Sequence, residues 1–588
     1  MKKFINSPET VEREVVDGYV KAYPEIVVKA ADDIVVRAHR KQGKVALVSG
    51  GGMGHEPAHL GFVGEGMLDA AVGGAIFTSP AVDRVAAAIE AVAPGCPGVL
   101  LVVKNYTGDV VNFRMAAEEA RENGVDVEYV VVDDDVAVQN SSFTVGRRGV
   151  AGTVFVHKCA GAAAEAGASL SEVKRVAEKV IANVRTMGVA IEPCTVPAAG
   201  KPGFELADDQ MEMGVGIHGE PGVRRAAMEP VDAMVDEILE KILADLDYDG
   251  SEVAVLINGS GATPPYELAI IANHVLDVLA ERGIRVARTY MGPYMTSLEM
   301  RGFSVSLLRL DDELTSLLFA PAHAIAWSEG APSAGENVAQ AAAVVADASV
   351  VPAPAVAPTA APTPVAPAAA EPAEPAAPAD RDAALVAEAI RAIAASMEEH
   401  KDELTELDGP IGDSDHGINM ARGFGAARDQ LDSLSEAGAD AATILRKSAS
   451  TVISKVGGSS GPLYGTILRK LSLAVKNGGV NLKSLTSGLE DGFEGIEKLA
   501  GARPGDKTML DAMAPAISSL KASCATDVAA TEALSRAADA AAEGAEATIP
   551  LVARAGRASY LGERSVGHKD PGATSFAYCM AALAACAR

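Results

Sequence analysis

The chain has 588 residues, of which 48% are apolar and only 4% aromatic, and its formal net charge is −28 at pH 7. One hydrophobic core cannot serve this length, so we expect about two to four domains. The negative charge argues against nucleic acid or an anionic membrane as a partner, because both attract basic surfaces. Six scattered cysteines without C-x-x-C pairs indicate neither a disulfide framework nor a zinc site. The sequence has no apolar targeting segment and no run of 18 apolar residues, which predicts a cytoplasmic protein.

An Ala/Pro-rich stretch divides the chain. From about residue 341 to 379 the sequence repeats Ala-Pro steps, which favour extended conformations and cannot build a core. The predicted organisation is an α/β part over residues 1–332, a linker over 333–380 and a helical part over 381–588.

The first part alternates strand-like and helix-like stretches. Short apolar runs with polar or glycine-rich exits are typical of buried parallel strands, and they occur at residues 45–48, 99–103, 129–132 and 253–257. Helical patterns lie between them, for example over 81–92 and 113–123. Phe303, Val305 and Leu307 alternate with serines, which predicts a half-exposed strand. We expect two α/β subdomains that divide near residues 180–200.

The second part has a helical pattern throughout. Leu385, Ala389, Ile390, Ile393 and Met397 fall on one face of a predicted helix, and strand-type alternation is absent. Several such amphipathic helices joined by glycine-rich loops predict an all-α bundle or barrel.

Three carboxylates lie close together at the start of this second part. Asp408, Asp413 and Asp415 fall within eight residues, between glycines. Carboxylates packed this closely repel one another unless a hard cation such as Mg²⁺ or Ca²⁺ neutralises them. The spacing is not that of an EF-hand, and the neighbouring His416 and Asn419 favour Mg²⁺ with a bound nucleoside triphosphate. The alternative is an acidic surface turn.

In the first part, three strand exits carry polar side chains. SGGGMGHEPAH (49–59) offers backbone amides and His55, KNYTGD supplies Lys104 and Asp109, and GVGIHGEPG (214–222) places His218 between glycines. Ligands of α/β sheets bind at such strand ends. The glycines lack the Rossmann spacing, and no Walker A loop exists. Taken alone, a single histidine in a glycine turn such as His218 is more often a hydrogen-bonded structural residue, and Lys104 with Asp109 is consistent with a surface ion pair.

Two adjacent arginines follow the third predicted strand. Arg147 and Arg148 in VGRRGVAG are suited to holding a phosphate, or to pairing with the acidic cluster at residues 133–135.

These motifs together resemble those of the dihydroxyacetone kinase family. In the first part the resemblance rests on residues 49–59, FTSP, KNYTGD, GRRGVAGTVFVHK and GIHGEPG. In the second part it rests on the aspartate loop, GGSSGPLYG, GDKTMLDAM and GHKDPGATS. Because the motifs cover both parts in order, the resemblance implies a substrate-binding domain fused to a nucleotide-binding domain.

The resemblance implies a covalent mode of substrate recognition. His218 would add to the carbonyl of a short-chain ketose and hold it as a hemiaminal, which excludes polyols such as glycerol. Asp109 would act as the general base on the terminal hydroxyl, with Lys104 and His55 bonding substrate oxygens. The floor of the pocket would be formed by Gly52, Met53 and Gly54.

For the second part, the resemblance implies that Mg²⁺ binds to Asp408, Asp413 and Asp415 and bridges the phosphates of ATP. The implied ATP contacts are His416, Gly417, Ile418, Asn419, Met420, Ser459, Ser460, Asp570, Pro571 and Gly572. The partners implied are a short-chain ketose, ATP and a second copy of the chain in a homodimer. The linker would keep the two domains at a high local concentration.

The sequence departs from the family pattern at a few positions. Met53 stands where Ser is usual, Gly74-Ala75 replaces a more polar pair, and Ser414 and Ser459 replace Gly and Thr. Ser414 and Ser459 are mild changes. Met53 is expected to place an apolar side chain beside the pocket, which puts the identity of the ketose in question.

The resemblance leaves several functions to compare. The leading one is phosphorylation of dihydroxyacetone by ATP, and a four-carbon ketose such as erythrulose is the alternative. Fusion of both domains favours ATP over a phosphoprotein donor. Cleavage of FAD to a cyclic FMN and a non-enzymatic ketose-sensing regulator are further alternatives, and a pure sensor would not need the aspartate trio.

Overall fold

The structure is a computed structural model, and it describes residues 2–138, 146–330, 378–526 and 528–587. The predicted linker therefore lies outside the described residues except for 378–380. Those three residues begin the first helix of the second part.

The first subdomain is built on a six-stranded sheet in the order β1-β2-β5-β3-β6-β7. The predicted apolar runs form its centre, where β3, β5, β6 and β7 are parallel, while β1 and β2 add antiparallel strands at one edge. The strands are β1 Val27–Ala31, β2 Ile34–Arg37, β3 Ala46–Met53, β4 Gly64–Glu65 (outside this sheet), β5 Ala70–Ile76, β6 Val99–Lys104 and β7 Val127–Val132. The helices are α1 Val11–Ala22, α2 Val82–Val92, α3 Thr107–Glu122, α4 Thr153–Glu165 and α5 Leu170–Asn183, with a 3-10 turn at Leu60–Phe62.

The second subdomain begins with β8 at Val184, within the predicted range, and forms a second six-stranded sheet in the order β10-β9-β8-β13-β11-β12. Among the described strands of this second sheet, only β11 and β12 pair in parallel. The strands are β8 Val184–Glu192, β9 Gln210–Met213, β10 Arg224–Ala227, β11 Glu252–Gly259, β12 Arg285–Gly292 and β13 Arg301–Leu310. The helices are α6 Val231–Asp245, α7 Pro265–Glu281 and α8 Asp312–Leu318. The short strands β14 Ala322–Ala324 and β15 Trp327–Glu329 pair with β4 in a small third sheet.

The prediction of a half-exposed strand at residues 303–307 is wrong. This segment belongs to β13, which lies between β8 and β11 and is covered on both faces. Ser306 is fully buried, and it tolerates this position because its hydroxyl accepts a hydrogen bond from Thr186 Oγ1 at 2.7 Å. The alternating serines therefore do not mark a solvent-exposed face, because a buried serine hydroxyl can be hydrogen-bonded inside the protein.

The second part is all-α in its described residues, as predicted. Its helices are α9 Pro378–Glu399, α10 Lys401–Asp408, α11 His416–Asp429, α12 Leu431–Glu436, α13 Ala441–Lys455, α14 Ser460–Gly478, α15 Leu482–Ala500, α16 Met509–Ala525, α17 Ala530–Glu546 and α18 Pro571–Cys586. A 3-10 segment at Arg557–Ser565 precedes α18. One core cluster that includes Met397, Phe424 and Met513 holds these helices together. Across the described ranges, no helix combines the length and apolar character that crossing a bilayer requires.

A buried ion pair links the residues just before β3 and just before β5 of the first sheet. The Lys44 ammonium is 2% exposed and lies 2.6 Å from the Asp69 carboxylate, which also accepts the N–H of Leu47. Removal of one partner from such a pair leaves an uncompensated buried charge.

We therefore expect Asp69→Ala to lower the free energy of unfolding of the first part by about 3 kcal/mol or more. Urea unfolding followed by the fluorescence of Trp327, the single tryptophan and a residue of this part, measures the effect. Glu118→Ala breaks the exposed Arg114–Glu118 pair of α3 in the same part and is the control, with an expected change below about 0.5 kcal/mol. Equal effects of the two substitutions would contradict the assignment.

Candidate active site

The end of strand β3 supplies a glycine-rich wall. A Cβ on Gly51 would overlap the Lys104 ammonium, and one on Gly52 would overlap the backbone of Phe77 and Thr78. Glycine is required here because other parts of the chain approach the strand too closely for a side chain.

Lys104 and Asp109 are buried together, so the interpretation as a surface ion pair is wrong. Lys104 ends β6 and Asp109 lies in the first turn of α3, and they are 0% and 1% exposed. The Lys104 ammonium lies 3.6 Å from Asp109 Oδ2, 3.0 Å from the Gly50 carbonyl oxygen and 2.9 Å from His59 Nε2. Burial lowers the pKa of Lys104, and the Asp109 charge opposes that shift.

His55 follows β3 and is held in one tautomer. Its Nδ1 lies 2.8 Å from the Thr296 carbonyl oxygen, which can only accept, so Nδ1 carries the proton and Nε2 is left as an acceptor. Burial and then the Lys104 charge lower the pKa of His55 to about 3. His55 therefore stays neutral at physiological pH, and its Nε2 can accept a hydrogen bond.

His218 lies in the loop after β9, surrounded by three rings. The centroid of its imidazole is 4.3 Å from that of Tyr106, 4.8 Å from that of His55 and 5.7 Å from that of Phe77. Burial and the charge of Arg557 lower the pKa of His218 well below its usual range, which keeps the ring neutral. A neutral imidazole retains the lone pair that a nucleophile needs.

Several polar atoms at this site are buried without a hydrogen-bond partner among the described residues. They include His55 Nε2, Asp109 Oδ1, His218 Nδ1 and the hydroxyl of Tyr106. Unsatisfied buried groups are rare in folded proteins and carry a desolvation penalty. Their convergence in one place indicates a site for a small molecule rich in oxygen.

The Met53 side chain does not behave as predicted from its position in the glycine motif. It is 3% exposed, belongs to the main core of the first subdomain and lies against Gly73 of β5. The expectation that it places an apolar group beside the pocket is therefore wrong, because the side chain is taken up by packing between β3 and β5.

In the second part, a cavity of about 160 Å³ is surrounded by helix N-termini. The first residues of four helices line it, namely His416 of α11, Ser460 of α14, Met509 of α16 and Pro571 of α18. The N-terminal N–H groups of a helix lack intrahelical partners and the helix dipole is positive at that end, so anions bind there. Such a cavity is suited to phosphate groups despite the negative charge of the whole chain.

The aspartate trio lies at one side of this cavity and is largely buried, so the interpretation as an acidic surface turn is wrong. Asp408 ends α10, Asp413 lies in the following turn and Asp415 precedes α11. One carboxylate oxygen of each residue lies within 4.8 Å of the other two. Burial and then the Asp408 charge raise the pKa of Asp415 to about 6. Three converging carboxylates that repel one another fit a hard divalent cation such as Mg²⁺.

Other predicted nucleotide contacts reach the same cavity. His416 Nε2 lies 2.9 Å from Ser575 Oγ, and its Nδ1 lies 3.3 Å from Ser460 Oγ, so the ring ties α11, α14 and α18 together. Asp570 caps α18 by accepting the N–H of Ala573 at 2.6 Å, and burial raises the pKa of Asp570 to about 7. Asn419, Ser459, Pro571 and Gly572 also line the cavity.

Three predicted ATP contacts are placed elsewhere. Met420 is fully buried in the core of the helical part. Gly417 packs against the carbonyl oxygen of Lys401 in α10, and Ile418 lines a separate cleft. In a helix, residues that follow one another point in different directions, so a contiguous motif does not place every side chain in one site.

The buried cluster of His55, Lys104, Asp109 and His218 adjoins the cavity of the helical part. The Thr78 hydroxyl donates to Asp415 Oδ2 at 2.5 Å, and a Cβ on Gly108 would lie 2.9 Å from the backbone of Gly458. Thr107, two residues before Asp109, lines the helical cavity. The first turn of α3 therefore connects the two halves of the site.

Arg557 contacts both halves of the site, and the sequence analysis missed it. It pairs with Asp413 of the aspartate trio, and its Nη2 donates to the Phe77 carbonyl oxygen at 3.0 Å. A single arginine belongs to no motif with a fixed residue spacing, so only its three-dimensional contacts identify it. Its charge lies between the aspartate trio and His218.

Arg147 and Arg148 are accounted for by ion pairs. Arg148 lies 2.6 Å from Asp135 and Arg147 pairs with Asp245. The alternative of a strand-end ion pair describes Arg148, and neither arginine lines the phosphate cavity.

We expect Asp413→Asn to weaken binding of a divalent cation at least tenfold, because one of three negative ligands becomes neutral. Electron paramagnetic resonance titration with Mn²⁺, without nucleotide, measures the affinity. Asp432→Asn alters an exposed aspartate that pairs with Arg391, and it serves as the control with unchanged affinity. Equal Mn²⁺ affinity of both variants would refute the metal assignment.

Comparison with known proteins identifies both parts. Residues 17–326 match the Dak1 domain family and residues 410–585 match the DAK2 domain family. The chain is 38% identical over its whole length to a D-erythrulose kinase of Mycolicibacterium smegmatis, of which it covers 98%. It is 37% identical to a triokinase/FMN cyclase of Rattus norvegicus, with 99% of the chain and 98% of the relative covered.

A solved structure also matches over the full length. The dihydroxyacetone kinase of C. freundii in complex with AMP-PNP and Mg²⁺ is 31% identical, with 99% of both chains covered and a TM-score of 0.50. The domain order, the α/β and helical folds and the full-length relatives agree with the resemblance seen in the motifs. The chain belongs to the single-chain dihydroxyacetone kinase family.

Proposed function

We propose that this protein phosphorylates the terminal hydroxyl of a short-chain ketose with ATP, and that dihydroxyacetone is its main substrate. The observation that carries the proposal is the cluster of buried, unpartnered polar atoms on His55, Asp109 and His218 directly beside a cavity formed by helix N-termini. The first group of atoms suits a small oxygen-rich acceptor, and the second suits phosphates.

His218 captures the ketose as a covalent adduct. The lone-pair nitrogen of the neutral ring bonds to the carbonyl carbon as the C=O π bond breaks and leaves negative charge on the oxygen. The other ring nitrogen of His218 then loses its proton while the oxygen gains one, so the adduct is a neutral hemiaminal. The vacant acceptor Nε2 of His55 lies beside this ring and can receive a hydrogen bond from the adduct. A polyol has no carbonyl and cannot form the bond.

Asp109 acts on the hydroxyl that receives the phosphoryl group. Its Oδ1 is unpartnered, while its Oδ2 lies near the Lys104 ammonium. A buried carboxylate with one free oxygen can accept the proton of the attacking hydroxyl. Lys104 holds the carboxylate in place through the ion pair to Oδ2.

The helical part holds the nucleotide. Asp408, Asp413 and Asp415 would hold Mg²⁺, which when bound neutralises charge on the ATP phosphates. The N-termini of α11, α14 and α18, with Ser459 and Ser460, face the phosphates of ATP.

Arg557 lies between the nucleotide side and the ketose side of the site, where the phosphoryl group would be transferred. It bridges Asp413 on the nucleotide side and the Phe77 backbone on the ketose side. A positive group in this position stabilises the transferring phosphoryl group more than it stabilises either ground state.

The choice between dihydroxyacetone and erythrulose does not rest on Met53, since that side chain packs against Gly73. One full-length relative carries the name D-erythrulose kinase, which supports erythrulose as the alternative substrate. The homodimer implied by the family resemblance remains a prediction, and light scattering of the purified chain measures it.

Initial rates with Mg·ATP test the function against dihydroxyacetone, D-erythrulose, L-erythrulose and glycerol. We expect phosphorylation of ketoses and none of glycerol. His218→Ala should raise the KM for the ketose at least about 100-fold, because the carbonyl-dependent bond is lost. The affinity for ATP should not change.

His274→Ala is the matched control, since His274 is a partly exposed histidine that pairs with Asp236 and does not line the helical cavity. Phosphorylation of glycerol at a rate comparable to the ketoses, or an unchanged ketose KM in His218→Ala, would overturn the capture mechanism. A preference for one erythrulose enantiomer would keep the mechanism and replace the substrate.

For Arg557→Ala we expect kcat to fall about 100-fold or more, because a charge that acts on the transferring group is lost. The ketose KM should change much less. Arg554→Ala removes an exposed arginine three residues earlier and should leave kcat unchanged. A loss in Arg557→Ala confined to the KM of either substrate would argue against this role.

A further inference from the structure

The loop that carries His218 is rich in glycine and needs an external support. Residues 214–222 connect β9 to β10 without regular secondary structure and contain four glycines. Glycine-rich backbone loses more conformational freedom on ordering than other backbone. Yet the imidazole must be held in one orientation for addition to a carbonyl.

Glu220 supplies that support from within the loop. Its Oε2 accepts the backbone N–H of His218 at 2.8 Å, and its carboxylate occupies the space in which a Cβ on Gly216 would lie. Glu220 is 8% exposed. The carboxylate therefore fills the inside of the loop and fixes the backbone at the reactive histidine.

The charge of Glu220 is balanced by a fully buried arginine. Arg148 Nη1 lies 3.4 Å from Glu220 Oε1, and Arg148 Nη2 donates to the Gly214 carbonyl oxygen at 2.6 Å. Asp135 holds the other side of the same guanidinium at 2.6 Å. Arg148 thus connects the start of the loop to the carboxylate below His218.

Residues of the helical part pack against Arg148 and against the end of the loop. The Tyr560 ring lies over the Arg148 guanidinium at 5.5 Å, and Arg564 donates to the Gly222 carbonyl oxygen at 2.5 Å. Both contacts come from the 3-10 segment that also contains Arg557. Exclusion of water strengthens the hydrogen bond and the ion pair inside the loop.

We propose that Glu220 is a positioning residue for ketose capture, holding the backbone of His218 so that its ring faces the substrate carbonyl. The inference rests on the proposed capture of a ketose by His218. Glu220 acts through the backbone and does not touch the reacting atoms in this role. Its loss should therefore reduce formation of the adduct while phosphoryl transfer from a formed adduct continues.

The test compares Glu220→Ala and Glu220→Gln in the full chain. Loss of a charge-assisted hydrogen bond should raise the ketose KM about 10- to 100-fold in Glu220→Ala. Glu220→Gln keeps an amide oxygen as acceptor and should raise it about 3- to 10-fold. In both variants kcat at saturating ketose should change less than about threefold and the KM for ATP should not change.

A second readout observes the adduct itself. Carbon NMR of dihydroxyacetone labelled with ¹³C at the carbonyl carbon detects conversion from a trigonal to a tetrahedral carbon on the protein. We expect a weakened tetrahedral signal in Glu220→Gln and a weaker one in Glu220→Ala. Glu229→Ala, at an exposed glutamate nine residues along, is the control with the signal of the parent protein.

The outcomes separate this inference from the proposed function. If the parent protein gives no tetrahedral carbon, capture by His218 fails. If the parent protein gives the signal and both Glu220 variants match it in signal and ketose KM, the positioning role is overturned. If Glu220→Ala does not fold, Glu220→Gln alone decides, and an unchanged ketose KM overturns the role. A parallel loss of ATP affinity in Glu220→Gln would also overturn it.

Discussion

The structure depends on one contact, in which the first turn of α3 in the α/β part meets the loop before α14 in the helical part. The acceptor and donor groups belong to two separately folded cores, and transfer requires them within bonding distance of each other. Gly108 permits that approach because its missing side chain leaves room for the backbone of Gly458 and Ser459. Asp109 is carried on the same turn, so docking of the cores also delivers the base.

The two halves handle charge in different ways. On the ketose side, burial keeps His55 and His218 neutral, and the Lys104–Asp109 pair is the main charge there. On the nucleotide side, carboxylates are gathered at one wall and helix N-termini at the others. This local arrangement explains how a chain of net charge −28 can bind a polyanion without a basic surface. Arg557 is the cation shared by the two environments.

The sequence predicted the parts of the fold in which one physical requirement dominates. Apolar runs of buried parallel strands and helical periodicity predicted the two folds, and the clustered aspartates predicted a group of carboxylates that the structure brings together. It failed where tertiary contacts decide the role of a residue. Met53 and Met420 belong to predicted site motifs but are packed in cores, and Ser306 is buried with a hydroxyl partner from another strand. Arg557 and Glu220 escaped notice because their partners are distant in the chain or are backbone groups.

The near-complete burial of the ketose-side groups has a kinetic meaning. His55, Lys104, Asp109 and His218 are between 0 and 3% exposed, so these groups are shielded from bulk solvent in the docked arrangement. Entry of the substrate and release of the product would then require the two cores to move apart. The same closure keeps water away from the position of the acceptor hydroxyl. Exclusion of water from this position disfavours hydrolysis of ATP as a side reaction.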